Sequence, residues 1–311
     1  MAGPGAASRR LPAADIVPKA SCYPRPMTGD PPDKLPADLA VAIVIYRSDA
    51  HWLERTLASL RLALISAHDD GAIRASRVYL VDNGAAGRSS DFQPLLERVF
   101  ATPPTWQSVQ VIAGQGNIGY GAGNNLAFRR DADAGLLLVL NPDVELDPAA
   151  IASGVRHLDA DADCAMVTPV ATDAAGGPLY LVKTAPRVST LALRGFAPAW
   201  VRSRFAARLA RYERRETGWD AALDDVEFAS GCFMLMRRGA FDRAGGFDQS
   251  FFLYFEDFDL SARISRQARI ARVTGCRITH GGGGAGGKGM GHTRMFIASA
   301  VRFFAKHGWR W

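Results

Sequence analysis

A chain of 311 residues has room for one large α/β domain or two small ones, and 48% hydrophobic with 22% charged residues is the make-up of a globular protein with a substantial core. Apolar stretches such as residues 41–45 and 136–140 are far too short to cross a bilayer, and four scattered cysteines (Cys22, Cys164, Cys232, Cys276) support neither a zinc site nor a disulfide framework. With no apolar run of signal-peptide length near the N-terminus, a reducing, cytoplasmic setting is expected, and a net charge of +6 points to an anionic partner: nucleic acid, phospholipid head groups or a phosphorylated substrate.

Residues 1–38 are rich in Pro, Ala and Gly without helix or strand period, which predicts a disordered leader. Order is predicted to begin at residues 39–46, a β-branched apolar run of the kind found in buried parallel strands. Trp52, Leu53, Leu57 and Leu60 follow at helical spacing. A second strand (77–81) ends in the turn Asp82-Asn83-Gly84, and a third (109–113) in a Gly-rich loop, 114–123. A helix at about 124–132 leads to a fourth strand at 136–140. Strands alternating with helices mean a doubly wound, mainly parallel sheet, whose ligands sit beyond the carboxyl ends of the strands. Asp82, Asn117 and Asp143 fall there.

Asp147-Pro148 reads as an N-cap with proline at the first helical position, opening a helix through Leu158. Residues 187–216 then change character: Arg194, Arg202, Arg204, Arg208, Arg211, Arg214 and Arg215 interleave with Leu193, Phe196, Trp200, Val201, Phe205 and Leu209. Such a basic amphipathic stretch suits a helix lying on anionic lipid, and almost equally a solvated helix packed on the domain. Apolar texture returns at 228–236, Gly245-Gly246 breaks it, and the aromatic cluster 251–255 runs into Glu256-Asp257 ahead of a predicted helix, 258–267. A strand-like run, 269–279, ends at His280 before a second Gly-rich loop that carries Lys288.

Each motif has a bland reading and a chemical one. Gly114-Gln115-Gly116-Asn117-Ile118-Gly119 matches the GxGxxG dinucleotide fingerprint, and Asp143 lies at roughly the 20-residue distance where that fingerprint places an acid. A nicotinamide or flavin enzyme is therefore a competing reading, although the fingerprint normally occupies the first strand–helix turn; glycines that need positive φ explain the loop as well. Asp82 fits turn chemistry, or a carboxylate that accepts from the imide N–H of uracil or thymine. Asp143, in Asn141-Pro142-Asp143, fits a strand-end turn, or an oxygen ligand to Mg²⁺ or Mn²⁺. Glu256 and Asp257 suit a helix N-terminus, but beside five apolar or aromatic residues their pKa values can rise, as a general base needs. His280 and Lys288 suit metal or phosphate contact; the loop falls short of a Walker A motif because Gly289 stands where Ser or Thr belongs.

Taken together these pieces resemble the inverting family 2 glycosyltransferases, especially their bacterial rhamnosyltransferase-like branch. The matching pieces are VAIVIY (41–46), VDNG (81–84), GNIGYGAGNN (116–125), LNPDVEL (140–146), SGCFMLMRR (230–238), GGFDQSFFLYFEDFDLSARI (245–264) and His280; RFFAKHGW (302–309) also looks familial. The resemblance implies a GT-A fold, a Rossmann-like mainly parallel sheet flanked by helices in a single catalytic domain. It implies a nucleoside-diphosphate sugar donor and a divalent metal, Mg²⁺ or Mn²⁺. By position, Asp82 looks like the base-binding acid, Asp143 like the last carboxylate of the family's DxD motif, Asp257 like the catalytic base and His280 like the late metal or diphosphate contact. Tyr46, Asn117, Gly119, Asn125 and Lys288 join the donor side, and Glu256 is assigned a sugar or acceptor hydroxyl.

The implied organisation is a donor-binding half at 39–150, an acceptor-binding and catalytic half at 151–280, and a Gly-rich loop with a C-terminal helix at 281–311. The implied reaction moves a sugar, L-rhamnose from dTDP-L-rhamnose, to a glycan or polyprenyl-diphosphate-linked acceptor in cell-surface polysaccharide assembly such as O-antigen. It would run in the cytoplasm, peripherally on the inner face of the cytoplasmic membrane, without nucleic acid. Three departures stand out: Asn141 replaces the first acid of DxD, Arg47 stands where the family usually has Asn, and the leader has no counterpart. The alternatives are an NAD(P)-dependent oxidoreductase built on Gly114, Gly116 and Gly119, and an inactive glycan-binding protein.

Overall fold

A computed structural model describes residues 36–84, 92–282 and 290–311; the expected leader, apart from its last three residues, and Lys288 lie outside them. The first strand, β1 (Ala37–Ile45), shows why the chain folds as it does: successive side chains point to opposite faces, and both faces are buried. Leu39, Val41, Ile43 and Ile45 enter one core together with Leu53, Leu57, Leu60 and Leu64 of helix α1 (Ala50–Asp69). Each of these α1 leucines, fully buried, contributes about 1.5–3 kcal/mol relative to exposure, so the apolar face fixes the helix more than its propensity does. Asp49 caps it by accepting from the Trp52 N–H at 3.0 Å.

The chain continues through β2 (Ile73–Asp82), α2 (Gln93–Val99), β3 (Gln107–Ile112), α3 (Tyr120–Arg129), β4 (Leu136–Leu140), β5 (Val144–Leu146), α4 (Ala150–Ala160), β6 (Cys164–Asp173), β7 (Pro178–Leu179) and β8 (Val182–Lys183). Then follow α5 (Val188–Phe196), α6 (Ala199–Arg204), α7 (Ala206–Tyr212), β9 (Phe228–Ala229), β10 (Phe233–Arg237), α8 (Arg238–Ala244), α9 (Glu256–Ile264), β11 (Arg269–His280) and α10 (Met290–His307). Ala40, Ala42 and Val44, on the other face of β1, pack with Ala127 and Phe128 of α3 in a second core.

The main sheet runs β3-β2-β1-β4-β10-β6-β11-β5. Its first four strands are parallel, as the alternation of strand and helix predicts, but β10 is antiparallel to both β4 and β6. The sheet is thus mixed, and the reversal has a use. Phe233 pairs with Leu140, so the residues that precede β10 emerge beside the carboxyl end of β4. The sheet also runs across the expected divide at residue 150, because β5 pairs with β11.

Two local expectations are corrected. Asp147 does not cap α4; it forms a turn whose carboxylate accepts from the Ala149 N–H at 2.9 Å, and the helix begins at Ala150. Residues 187–216 do not form one interfacial helix but three short ones plus a 3-10 turn, interrupted at Pro198 and again where Phe205 leaves helical geometry. No helix among the described residues is long and apolar enough to cross a membrane.

A third, aromatic core holds the late elements together. Phe251 and Phe255 pack with Leu191, Tyr212, Phe228, Phe303 and Phe304. Beside it Asp259 of α9, with no exposed surface, takes His307 Nε2 and Lys306 Nζ of α10, both at 2.7 Å, and Arg263 at 2.6 Å. Burial pushes the Asp259 carboxyl up, but the His307 and Lys306 hydrogen bonds and the Arg263 charge together hold it below its ordinary value.

Candidate active site

The sheet register brings the carboxyl ends of β1, β2 and β4 side by side: Ile45 pairs with Asp82, and Ile43 with Leu140. Asp82 is buried and turns the chain by accepting from the Gly84 N–H at 2.7 Å. Tyr46 stands exposed past the end of β1, with the Arg47 guanidinium 5.4 Å from its ring. Arg47 takes a left-handed φ of 51°, a conformation that Asn tolerates better than most residues, which gives a backbone reason for the Asn expected there.

The Gly-rich loop is explained by its own geometry. Gly114, Gly116 and Gly119 have φ of 92°, 67° and 89°. A Cβ on Gly119 would lie 2.5 Å from the Phe252 carbonyl oxygen, and that same oxygen accepts from the Tyr120 N–H at 3.0 Å. The loop therefore clasps the aromatic segment ahead of Glu256. Asn117 accepts from the Gly119 N–H at 3.2 Å, Asn83 donates to the Gly119 carbonyl at 3.0 Å, and Gln115 donates to the Asp82 carbonyl at 2.7 Å. Asn125, expected on the donor side, makes two bonds within the protein. Its amide donates to the Phe247 carbonyl at 2.7 Å and accepts from the Phe247 N–H at 2.9 Å, so it braces the Gly245–Phe247 turn.

Beyond β4, Asp143 and His280 meet as expected: Asp143 Oδ1 lies 3.2 Å from His280 Nε2, because β11 pairs with β5 so that His280 lies opposite Val144. Gly281 donates to the Asp143 carbonyl at 2.8 Å, and a Cβ on Gly282 would fall 1.7 Å from Asp143 Oδ2. The chain after His280 thus passes directly over the carboxylate, which only glycine permits. A carboxylate oxygen and an imidazole nitrogen, with the neutral Asn141 nearby, form a half-open donor set of the kind a divalent cation shares with phosphate oxygens. Among the described residues the one cluster of three ligand-type side chains is elsewhere, at His157, Asp161 and Cys164. Arg269 already occupies the Asp161 carboxylate there, at 2.6 and 2.7 Å.

Glu256 and Asp257 open α9 from a strained start. Tyr254 and Phe255 adopt φ of 70° and 66° in succession, a left-handed conformation that costs about 1–3 kcal/mol per non-glycine residue. Surrounding groups impose it. The Phe255 ring packs 5.2 Å from Phe296 and 5.4 Å from Phe303, the Tyr254 hydroxyl meets His292 Nδ1 at 2.9 Å, and Ser299 donates to the Leu253 carbonyl at 2.8 Å. Asp257 Oδ2 accepts from the Gly231 N–H and its Oδ1 from the Phe258 N–H, both at 2.8 Å. Glu256 is 5% exposed, and its Oε2 has no hydrogen-bond partner among the described residues. Burial pushes the Glu256 carboxyl well above its ordinary value, and the Asp257 charge adds to this. Burial raises Asp257 too, while the Gly231 and Phe258 N–H groups pull it back.

Two residues without an expected role connect these parts. The Tyr120 hydroxyl sits 2.7 Å from the Gly231 carbonyl and 2.8 Å from Asn141 Oδ1, and the Asn141 N–H donates to the Cys232 carbonyl at 2.9 Å. The substituted position of the DxD motif is therefore joined through Tyr120 and Gly231 to Asp257. Both residues stood within recognisable pieces of sequence, but neither is a residue type that signals chemistry by itself.

Residues 40–245 match the glycosyl transferase family 2 profile. The chain belongs to this family. It is 32% identical over 252 residues, covering 73% of this chain and 70% of the relative, to the N-acetylglucosaminyl-diphospho-decaprenol L-rhamnosyltransferase of Mycobacterium tuberculosis. Solved structures similar in fold include GalNAc-T7 with UDP, GalNAc and Mn²⁺ (TM-score 0.57, 14% identity, 88% of this chain and 48% of that one). Another is the mannosyltransferase PcManGT of Pyrobaculum calidifontis with GDP-Man and Mn²⁺ (TM-score 0.55, 16% identity, 87% of this chain and 64% of that one). This glycosyltransferase thus has the GT-A fold and spans about half of the GalNAc-T7 chain. The oxidoreductase reading falls: nothing in these likenesses supports it, and the glycines that suggested it have geometric duties of their own.

Proposed function

We propose that this glycosyltransferase transfers L-rhamnose, with inversion, from dTDP-L-rhamnose to a hydroxyl of a sugar linked through diphosphate to a lipid. The observation that carries the transfer chemistry is Asp257, a carboxylate of raised pKa hung from the Gly231 N–H beside Asn141 and the Asp143–His280 pair. The donor sugar and the acceptor class follow the Mycobacterium tuberculosis relative, whose name carries both.

In the proposed reaction the acceptor hydroxyl attacks the anomeric carbon, the carbon–oxygen bond to dTDP breaks, and Asp257 takes the hydroxyl proton. Glu256, its carboxyl pKa raised by burial and its neighbour's charge, holds a sugar hydroxyl through its free oxygen. Asp82 receives the imide N–H of the base, and Tyr46, Asn117, Gly119 and Lys288 complete the donor side. Asp143 and His280 would hold Mg²⁺ or Mn²⁺, which when bound offsets charge on the departing diphosphate. Exposed Phe196, Trp200 and Phe205 among arginines support peripheral contact with an anionic membrane surface, in keeping with a lipid-linked acceptor. A panel of nucleotide sugars with Mg²⁺ or Mn²⁺, scored for nucleoside diphosphate release and for sugar transfer to a short prenyl-diphospho-N-acetylglucosamine, tests the reading. Preferential turnover of a GDP-sugar, or none with any donor, counts against it.

A further inference from the structure

The broken basic segment lines an open cavity of about 620 Å³ between α5, α6, α7 and Trp311, within the size range of small-molecule sites. Arg187, Arg204, Arg208 and Arg211 line it, and no acidic residue does. Elsewhere in the same segment arginines are neutralised: Arg194 and Arg215 lie on Glu213, and Arg214 on Asp225. Among the described residues the four cavity arginines have no side-chain carboxylate. Arg208 is aimed by the hydroxyl of Thr190, at 2.9 Å, and by that of Ser189, while Arg187 meets the Trp311 main-chain oxygen at 3.2 Å. The Thr190 and Ser189 hydroxyls orient the Arg208 guanidinium without cancelling its charge, so the side chains that line the cavity carry an excess of positive charge.

One wall residue, Tyr212, links the cavity to the core beneath the Glu256–Asp257 segment. It packs in the same aromatic core as Phe255, and the Tyr212 phenol is raised by burial first, with the Asp257 charge contributing. Phe205, one of the cavity's lining residues, is exposed, and so is Trp200, 74% exposed and one helical turn before the lining residue Arg204 on α6. Charge along the cavity and apolar surface beside it match a diphosphate esterified to a prenyl chain.

We infer that this arginine-lined cavity seats the diphosphate of the lipid-linked acceptor, with the first prenyl units passing over Phe205 and Trp200. This rests on the acceptor class proposed above. The test is calorimetric titration of the whole protein with farnesyl diphosphate, inorganic diphosphate and phosphatidylglycerol vesicles, in wild type, an Arg204→Ala/Arg211→Ala double variant, and Arg202→Ala. Arg202 lies on α6 but does not line the cavity.

Farnesyl diphosphate should bind wild type more tightly than inorganic diphosphate. The double variant should lose about tenfold or more of that affinity, as expected for charge-assisted bonds, while Arg202→Ala and the binding of dTDP with Mg²⁺ stay unchanged. Unchanged farnesyl diphosphate binding in the double variant overturns the inference. So does an equal loss in Arg202→Ala, equal affinity for inorganic diphosphate, or a loss confined to vesicles, which would make the cavity a membrane contact. Since the readout is binding, a wild type that takes farnesyl diphosphate through these arginines yet transfers no sugar to a lipid-linked acceptor sinks the proposed reaction and leaves the cavity's ligand class standing.

Discussion

The Asp143–His280 pair and the Glu256–Asp257 pair lie at the same edge of the sheet but are built by opposite means. Strand register makes the first: β5 and β11 pair in the ordinary way, and the side chains meet because their positions are level. The second hangs on two consecutive left-handed residues that aromatic packing forces into place. One is half-open and suited to share a cation with a ligand; the other is buried and shifted in pKa. Under the proposed reaction, regular structure sets up the binding of charge and strained structure sets up proton transfer.

The largest expected effect separates the two sites by function. Asp257→Asn should lower kcat by about 10²–10⁴ while donor binding with metal is retained, and Glu256→Gln should mainly raise the acceptor KM. Steady-state kinetics with calorimetric donor titration decide between them; a dead Glu256→Gln beside an active Asp257→Asn would reverse the roles. Next comes the packing that enforces the strained turn. Phe255→Ala should cost about 3–5 kcal/mol in denaturant unfolding, and should lower kcat even under conditions where the variant is folded. If kcat is untouched, the turn is not what positions Asp257.

At the register-built site the expected loss is smaller and confined to binding. Asp143→Ala and His280→Ala should each weaken metal-dependent nucleotide binding by about tenfold or more, by analogy with changes at other metal sites. Either variant keeping wild-type metal dependence breaks that residue's assignment. The smallest effect has a sign that tests the comparison directly. Glu256 has a folded pKa above its unfolded one, so its stabilising contribution is full below the unfolded value of about 4.3 and lost as pH rises through the folded value. Glu256→Gln should therefore raise Tm at neutral pH by about 2 °C or more, with the gain vanishing toward pH 4. Asp259 has the opposite sign: its folded pKa is depressed, so its contribution is present above about pH 4 and lost as pH falls through the folded value.

Periodicity alone revealed the parallel half of the sheet, because strands buried on both faces read as unbroken apolar runs and α1 repeats leucine at helical spacing. It did not show the direction of β10, since an apolar strand of five residues looks the same either way round. That one reversal carries Gly231 and Cys232 to the site and left both out of the expected set. The helix that opens on Glu256 was predicted two residues late because Phe255 is no recognisable cap, and aromatic residues ordinarily avoid positive φ. By contrast the break in the basic segment was announced by Pro198, and the amphipathic pattern on both sides of it obscured the signal.

The fastening of α10 also has a consequence in time. Tyr254 and Phe255 take their conformation from His292, Phe296, Ser299 and Phe303, and Asp259 finds Lys306 and His307 on the same helix. On the ribosome these partners emerge after the turn they hold. The parallel strands can assemble while synthesis continues, but Asp257 acquires its setting only once α10 has docked; under the proposed reaction, a nascent chain already shaped for the donor would not yet transfer its sugar.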